Sequence, residues 1–195
     1  MKRILILSVL LSGALMLTSC GNRNTSKQNQ TEQTEEVAVA EVDDILNQAS
    51  ELAGKEVEVE GICTHICKHG GRKVFLMGSS DKVMIRVEAG EKIGAFAPEC
   101  VNNLVRIKGI LVEDRIDEAY LAHWEEQLKN QTAEKHGEGE GGCSTEKQAR
   151  GEQNVTTNDD RIKAFRERIA ERKAKEGKEY LSFYHIDGLS YEVVK

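Results

Sequence analysis

From Lys55 to Cys67 the chain reads KEVEVEGICTHIC, in which Val57 and Val59 alternate with Glu56, Glu58 and Glu60. Alternation with period 2 puts the apolar side chains on one face and the charges on the other, so this stretch predicts a half-buried strand. A strand of that kind needs partners and a core. The following residues supply both: Gly70-Gly71 is a hairpin signal, Lys73 to Met77 reads as a second strand, and a Ser79-Ser80-Asp81 turn leads into a third, Val83 to Glu88. Ile93 to Cys100 is a short crossover carrying the one proline, Pro98. Asn103 to Glu113 (NLVRIKGILVE) predicts a fourth strand, with a bend or bulge at Gly109. Tyr180 to Val194, rich in aromatic and β-branched residues, predicts the fifth.

Three strands in hairpin order, a crossover, a strand with an internal glycine and a late fifth strand resemble the OB-fold, a five-stranded Greek-key barrel. The expected class is therefore mainly β with added helices (α+β), over residues 37–195. Glu41 to Ala53 spaces Val42, Ile45, Leu46, Ala49 and Leu52 as a helix does, with Gly54 as a stop. Residues 117–178 form a long insertion before the last strand. It opens with an amphipathic helix from Asp117 to Lys129 and continues through a polar Gly-rich tract, 130–158, expected to be a disordered loop. It ends in a charged helix from Asp159 to Lys175, with acids first and bases last as the helix dipole prefers.

The N-terminus sets the compartment. Met1-Lys2-Arg3 is basic, and Ile4 to Leu17 is an apolar run with the layout of a secretory signal, too short for a comfortable membrane span. It ends in Leu17-Thr18-Ser19-Cys20, which resembles the lipobox of bacterial lipoproteins. That resemblance implies cleavage of residues 1–19 and acylation of Cys20, so the expected partner is a lipid bilayer held through Cys20. Residues 20–36 contain no apolar residue after Cys20 and Gly21 and read as a tether with a reach of roughly 20 to 25 Å. The missing acidic cluster just after Cys20 favours an outer-membrane anchor facing the periplasm. Cleavage takes Lys2 and Arg3 from 27 basic residues and leaves all 33 acidic ones, a net charge of −8 against −6 for the whole chain. Such a balance argues against nucleic acid as a partner.

The chemistry-bearing residues concentrate in CTHICKHGG, Cys63 to Gly71. A bulge at Gly61 would shift the strand's phase, sending Ile62, Thr64 and Ile66 inward and Cys63, His65 and Cys67 to the outer face. At roughly 3.3 Å per residue Cys63 and Cys67 stand about 13 Å apart, too far for a disulfide, which needs Cα atoms within about 7 Å. His69 sits at the turn, within reach of the row. In the insertion, His136 and Cys143 lie without apolar neighbours in EKHGEGEGGCSTEK, and Cys143 calls for a bond to something. A subset of Cys63, His65, Cys67, His69, His136 and Cys143 is thus a candidate metal site, and thiolate with imidazole suits zinc or reduced copper. The even count of Cys63, Cys67, Cys100 and Cys143 in an exported chain equally allows two disulfides, with Cys143 closing onto Cys63 or Cys67.

From Val42 to Lys195 the chain resembles OB-fold-type envelope lipoproteins of Bacteroidetes-like bacteria, on its lipobox, strand order and CTHICKHGG hairpin. The resemblance implies a ligand-binding barrel face and brings no catalytic residue. A Gly-x-Ser-x-Gly elbow, a His-Glu-x-x-His pair and a phosphate-cradling loop are all missing from the sequence. The expected function is an anchored binding module holding a thiophilic metal or a small ligand. A disulfide-stapled structural or interaction lipoprotein is the alternative, and a thiol-redox protein ranks behind both.

Overall fold

The computed structural model describes residues 38–68, 70–130, 144–152, 155 and 157–195. Cys20, the signal and the tether lie outside them, as do His69, His136 and Cys143. The elements run β1 (Val39–Glu41), α1 (Val42–Asn47), α2 (Ala49–Leu52), β2 (Glu56–Ile66), β3 (Lys73–Met77), β4 (Met84–Ala89), a 3-10 turn (Pro98–Cys100), β5 (Leu104–Asp117), α3 (Glu118–Lys129), α4 (Ser144–Ala149), α5 (Asn158–Glu176) and β6 (Tyr180–Val193).

The sheet closes. Strands follow the order β2-β3-β4-β6-β5, and β5 returns to β2, while the added β1 lies parallel to β2. The β4–β6 pairing is parallel; the other pairings within the barrel are antiparallel. This is an OB-like barrel with added helices, as the strand order implied. Its interior is filled by alternating residues from every strand, among them Val57, Val59, Leu76, Val87, Ile107, Leu111 and Ile186. The bulge expected at Gly109 is present, as a register shift between Lys108 and Gly109. A Cβ on Gly109 would collide with the Asp187 carbonyl oxygen, so glycine also lets β5 and β6 approach there.

A second, smaller core lies outside the barrel. Ile116 and Leu181, on the far ends of β5 and β6, pack against Leu121 of α3 and Ile162 and Phe165 of α5. Both helices are capped by side chains: Asp117 accepts from the Tyr120 N–H at 2.8 Å, and Thr157 Oγ1 from the Asp160 N–H at 3.1 Å.

Three sequence expectations change. The helix over 41–53 is two short helices, broken at Gln48. The tract 130–158, expected to be structureless, contains α4. The phase shift at Gly61 does not occur: alternation continues through Gly61 to Cys63, and the register slips at Thr64, between Cys63 and His65. Space is the reason, because a Cβ on Gly61 would lie 2.9 Å from Val42 Cγ2 and 3.0 Å from Leu76 Cβ. Glycine is needed there for close packing and not to turn the strand.

Candidate functional site

The late bulge splits the Cys/His row. Cys63 points into the barrel at 0% exposure, and Ile62, expected inside, is 37% exposed. Burial, and then the neighbouring Cys100, pushes the Cys63 thiol up to about 11, so it stays protonated. His65 emerges beyond the bulge, its ring 6.0 Å from that of Phe75. Burial, and then the Lys68 charge, holds the His65 imidazole below its ordinary value. Cys67 is half-buried, and Cys63 and Cys100 are buried thiols. Among the described residues no group of three or more His, Cys, Asp or Glu is arranged to hold a metal ion. Cys63 therefore leaves the expected outward-facing ligand row, while His69, His136 and Cys143 lie outside the described residues.

A different site stands on the outer face of β3, β4 and β6. Cross-strand register aligns Phe75, Arg86 and His185 in one row, and Asp114 of β5 lies beside it. Above the row sits α4, and between them is a cavity of about 350 Å³ with Leu46, Phe75, Met84, Phe183 and Tyr184 among its walls. At the rim Asp43 accepts from the Ser79 N–H at 2.7 Å and the Ser79 hydroxyl at 2.6 Å, tying α1 to the β3–β4 turn.

Arg86 is the centre of this site, only 8% exposed. Its Nη1 donates to Glu146 of α4 at 2.8 Å and its Nη2 to Asp114 at 2.9 Å. The Nε lies 3.1 Å from the Glu88 carboxylate but outside hydrogen-bonding geometry. His185 is also buried, with Nδ1 3.0 Å from Asp114 and Nε2 3.3 Å from Asp187. Burial pushes Asp114 up, but the hydrogen bond from His185 and the charges of His185, Arg86 and Arg150 outweigh it and hold the carboxyl below its usual range. The result is a buried guanidinium gripped by carboxylates from two strands and one insertion helix.

Sequence reasoning missed this site. Arg86 stands in MIRVEA, where a charge in a strand reads as a solvated outward residue, and it does face outward. What buries it is α4, in a tract without an apolar stripe. The signal that was present is the pair Arg86 and His185, each flanked by apolar or aromatic residues, Ile85 and Val87 on one strand and Tyr184 and Ile186 on the other.

No family model matches the chain, and no curated protein matches it. One solved structure similar to part of it, "a putative aspartyl-tRNA synthetase from Leishmania major Friedlin", shares 11% identity over 44% of this chain and 18% of that one, with a TM-score of 0.28. The chain thus spans under a fifth of that protein's length.

Proposed function

We propose that this protein is a binding module: an envelope lipoprotein, anchored in a bilayer through acylated Cys20, whose OB-like barrel receives a small ligand in the cavity beneath α4. The observation carrying this reading is the cavity itself. Its volume falls at the lower end of the range for small-molecule sites, and apolar and aromatic walls stand in it beside charged groups gathered round a buried, oriented guanidinium. No helix among the described residues is long and apolar enough to cross a membrane. A lipid on Cys20 supplies the anchor in this reading, and the tether holds the barrel clear of the headgroups. The net charge keeps nucleic acid off the list of partners.

The test is a small-molecule screen on isotope-labelled protein, reading amide shifts by NMR. Ligands should perturb β3, β4, β6 and α4 together; a broad screen that moves none of these would sink the binding reading. Mass spectrometry of membrane-extracted protein should find a diacylated Cys20, and Cys20→Ser should release the chain to the soluble fraction. A zinc or copper module remains the competing proposal. One equivalent of metal in protein purified without chelator, lost in Cys67→Ser, would favour it over the cavity.

A further inference from the structure

The way α4 is held points to what enters beneath it. Helices α3 and α5 are fastened to β5 and β6 by buried apolar side chains, Leu121 on one and Ile162 and Phe165 on the other. Helix α4 buries no side chain completely. Among the described residues its contacts with the barrel include the Glu146 carboxylate on Arg86 and the Gln148 amide donating to the Asp81 carbonyl at 2.8 Å, and just beyond it the Arg150 guanidinium lies 5.4 Å over the Phe183 ring. Just past its C-terminal end the chain is tied to α5, where Arg168 donates to the Arg150 carbonyl at 3.0 Å and Arg161 pairs with Glu152. Gly151, with φ +70°, lies between those two ties. The end of the helix carrying Glu146 therefore rests on exchangeable contacts, and the end near Gly151 is anchored.

We propose that Glu146 occupies the place of a ligand's carboxylate, so that the site takes a small amphipathic monocarboxylate. Its anionic group pairs with Arg86, its apolar body lies against Phe75, Met84 and Phe183, and α4 lifts as it enters. This inference rests on the cavity being a binding site.

Charge selects the class. The Arg86 side chain is 10% exposed and that of Glu146 14%, so their pair is largely withdrawn from water. Removing one partner from such a pair leaves the other short of a counter-charge, which costs more than the pair contributes. A ligand with one carboxylate replaces Glu146 like for like. A neutral ligand that moves α4 leaves a buried guanidinium with one anion fewer, and takes the same anion from Arg150, which stands 3.5 Å from Glu146. In Glu146's place a ligand carboxylate accepts from Nη1, while Nη2 stays on Asp114 and holds the guanidinium oriented.

The experiment uses the full chain in nanodiscs of neutral lipid, with N-acetylphenylalanine as the acid and its amide as the neutral control. Calorimetry should show the acid binding the native protein. It should bind Glu146→Gln about tenfold tighter, because the internal competitor is gone, and Arg86→Lys about tenfold weaker, because an ammonium lacks the separate directed N–H groups that hold Asp114 and the ligand on different nitrogens. Hydrogen exchange at Ser144–Ala149 should quicken when the acid is added to the native protein. Far-ultraviolet circular dichroism on each variant checks that the fold is intact. Equal binding of acid and amide to both the native protein and Glu146→Gln overturns the carboxylate assignment and leaves the cavity reading standing. Binding of neither compound to any form removes both.

Discussion

The barrel interior and the helical layer outside it are both apolar, yet they are sealed in different ways. Inside, every strand contributes small and medium residues at alternate positions, and the closed ladder excludes water with no help from charged groups. Outside, a few large residues are covered by guanidinium groups: Arg161 lies 5.0 Å over Trp124, Arg168 lies 5.4 Å over Phe183, and Arg172 lies 5.1 Å over Tyr180. Arginine covers an apolar surface with its stem and ring-stacking plane and keeps its charge hydrated or hydrogen-bonded. The two layers should therefore fail separately, with the barrel carrying the stability and the helices adding to it.

The sharpest way to break that comparison is a pair of truncations. Leu111→Ala, fully buried in the barrel, should lower stability by about 4 kcal/mol and unfold the whole domain together. Leu121→Ala, fully buried beneath α3, should cost about 2 to 3 kcal/mol and speed hydrogen exchange in α3 and α5 while β2, β3 and β4 stay protected. Loss of protection in the strands of Leu121→Ala would show that the two cores are one cooperative unit.

A smaller effect should come from acid. The Asp114 carboxyl titrates below its ordinary range in the folded protein, so between that ordinary value and the depressed one the unfolded chain binds more protons than the folded chain. The stabilisation is present above the ordinary carboxylate value and disappears as pH falls through the depressed one. Melting temperatures taken from about pH 6 to about pH 2.5 should fall less steeply in Asp114→Asn than in the native protein. Cys63 works in the opposite direction: its thiol is raised to about 11, so its contribution is complete below the ordinary thiol value and is lost as pH climbs through about 11. In native protein at neutral pH, iodoacetamide should leave Cys63 and Cys100 unlabelled, and both should react once the protein is unfolded. The smallest effect is expected at Arg106, whose exposed side chain bridges Glu60 and Glu192 across the outer face of the barrel. Arg106→Ala should leave the denaturation midpoint unchanged, because exposed ion pairs exchange one hydrated state for another.

Most of the barrel was legible because period 2 is a direct imprint of a two-sided sheet on the sequence. The five barrel strands and the Gly109 bulge could be read from it. β1 could not, since Val39–Glu41 is too short to show a period. Gly61 was misread because a strand glycine has two physical causes, a bulge or a close approach, and only the neighbours Val42 and Leu76 distinguish them. That one residue decided the candidate site, since the phase beyond it determines whether Cys63 is a ligand or part of the core. The Arg86 cluster was hidden for a different reason. Its members come from β4, β5, β6 and α4, and no local pattern marks a residue whose burial depends on a helix sixty positions away.

The Asp117↔Tyr180 pair closes the β5–β6 ladder at the point where the insertion leaves and returns. Residues 118–179 therefore depart from and rejoin the barrel at facing positions, so in topological terms they are the loop of a hairpin. The entropy of closing such a loop grows only logarithmically, at about 0.6 kcal/mol for each doubling of its length. Descendants of this chain can lengthen, shorten or exchange the excursion at little cost to the barrel's folding. The barrel thus acts as an inherited chassis, and the cavity wall that α4 forms is free to diversify at the rate of a surface loop.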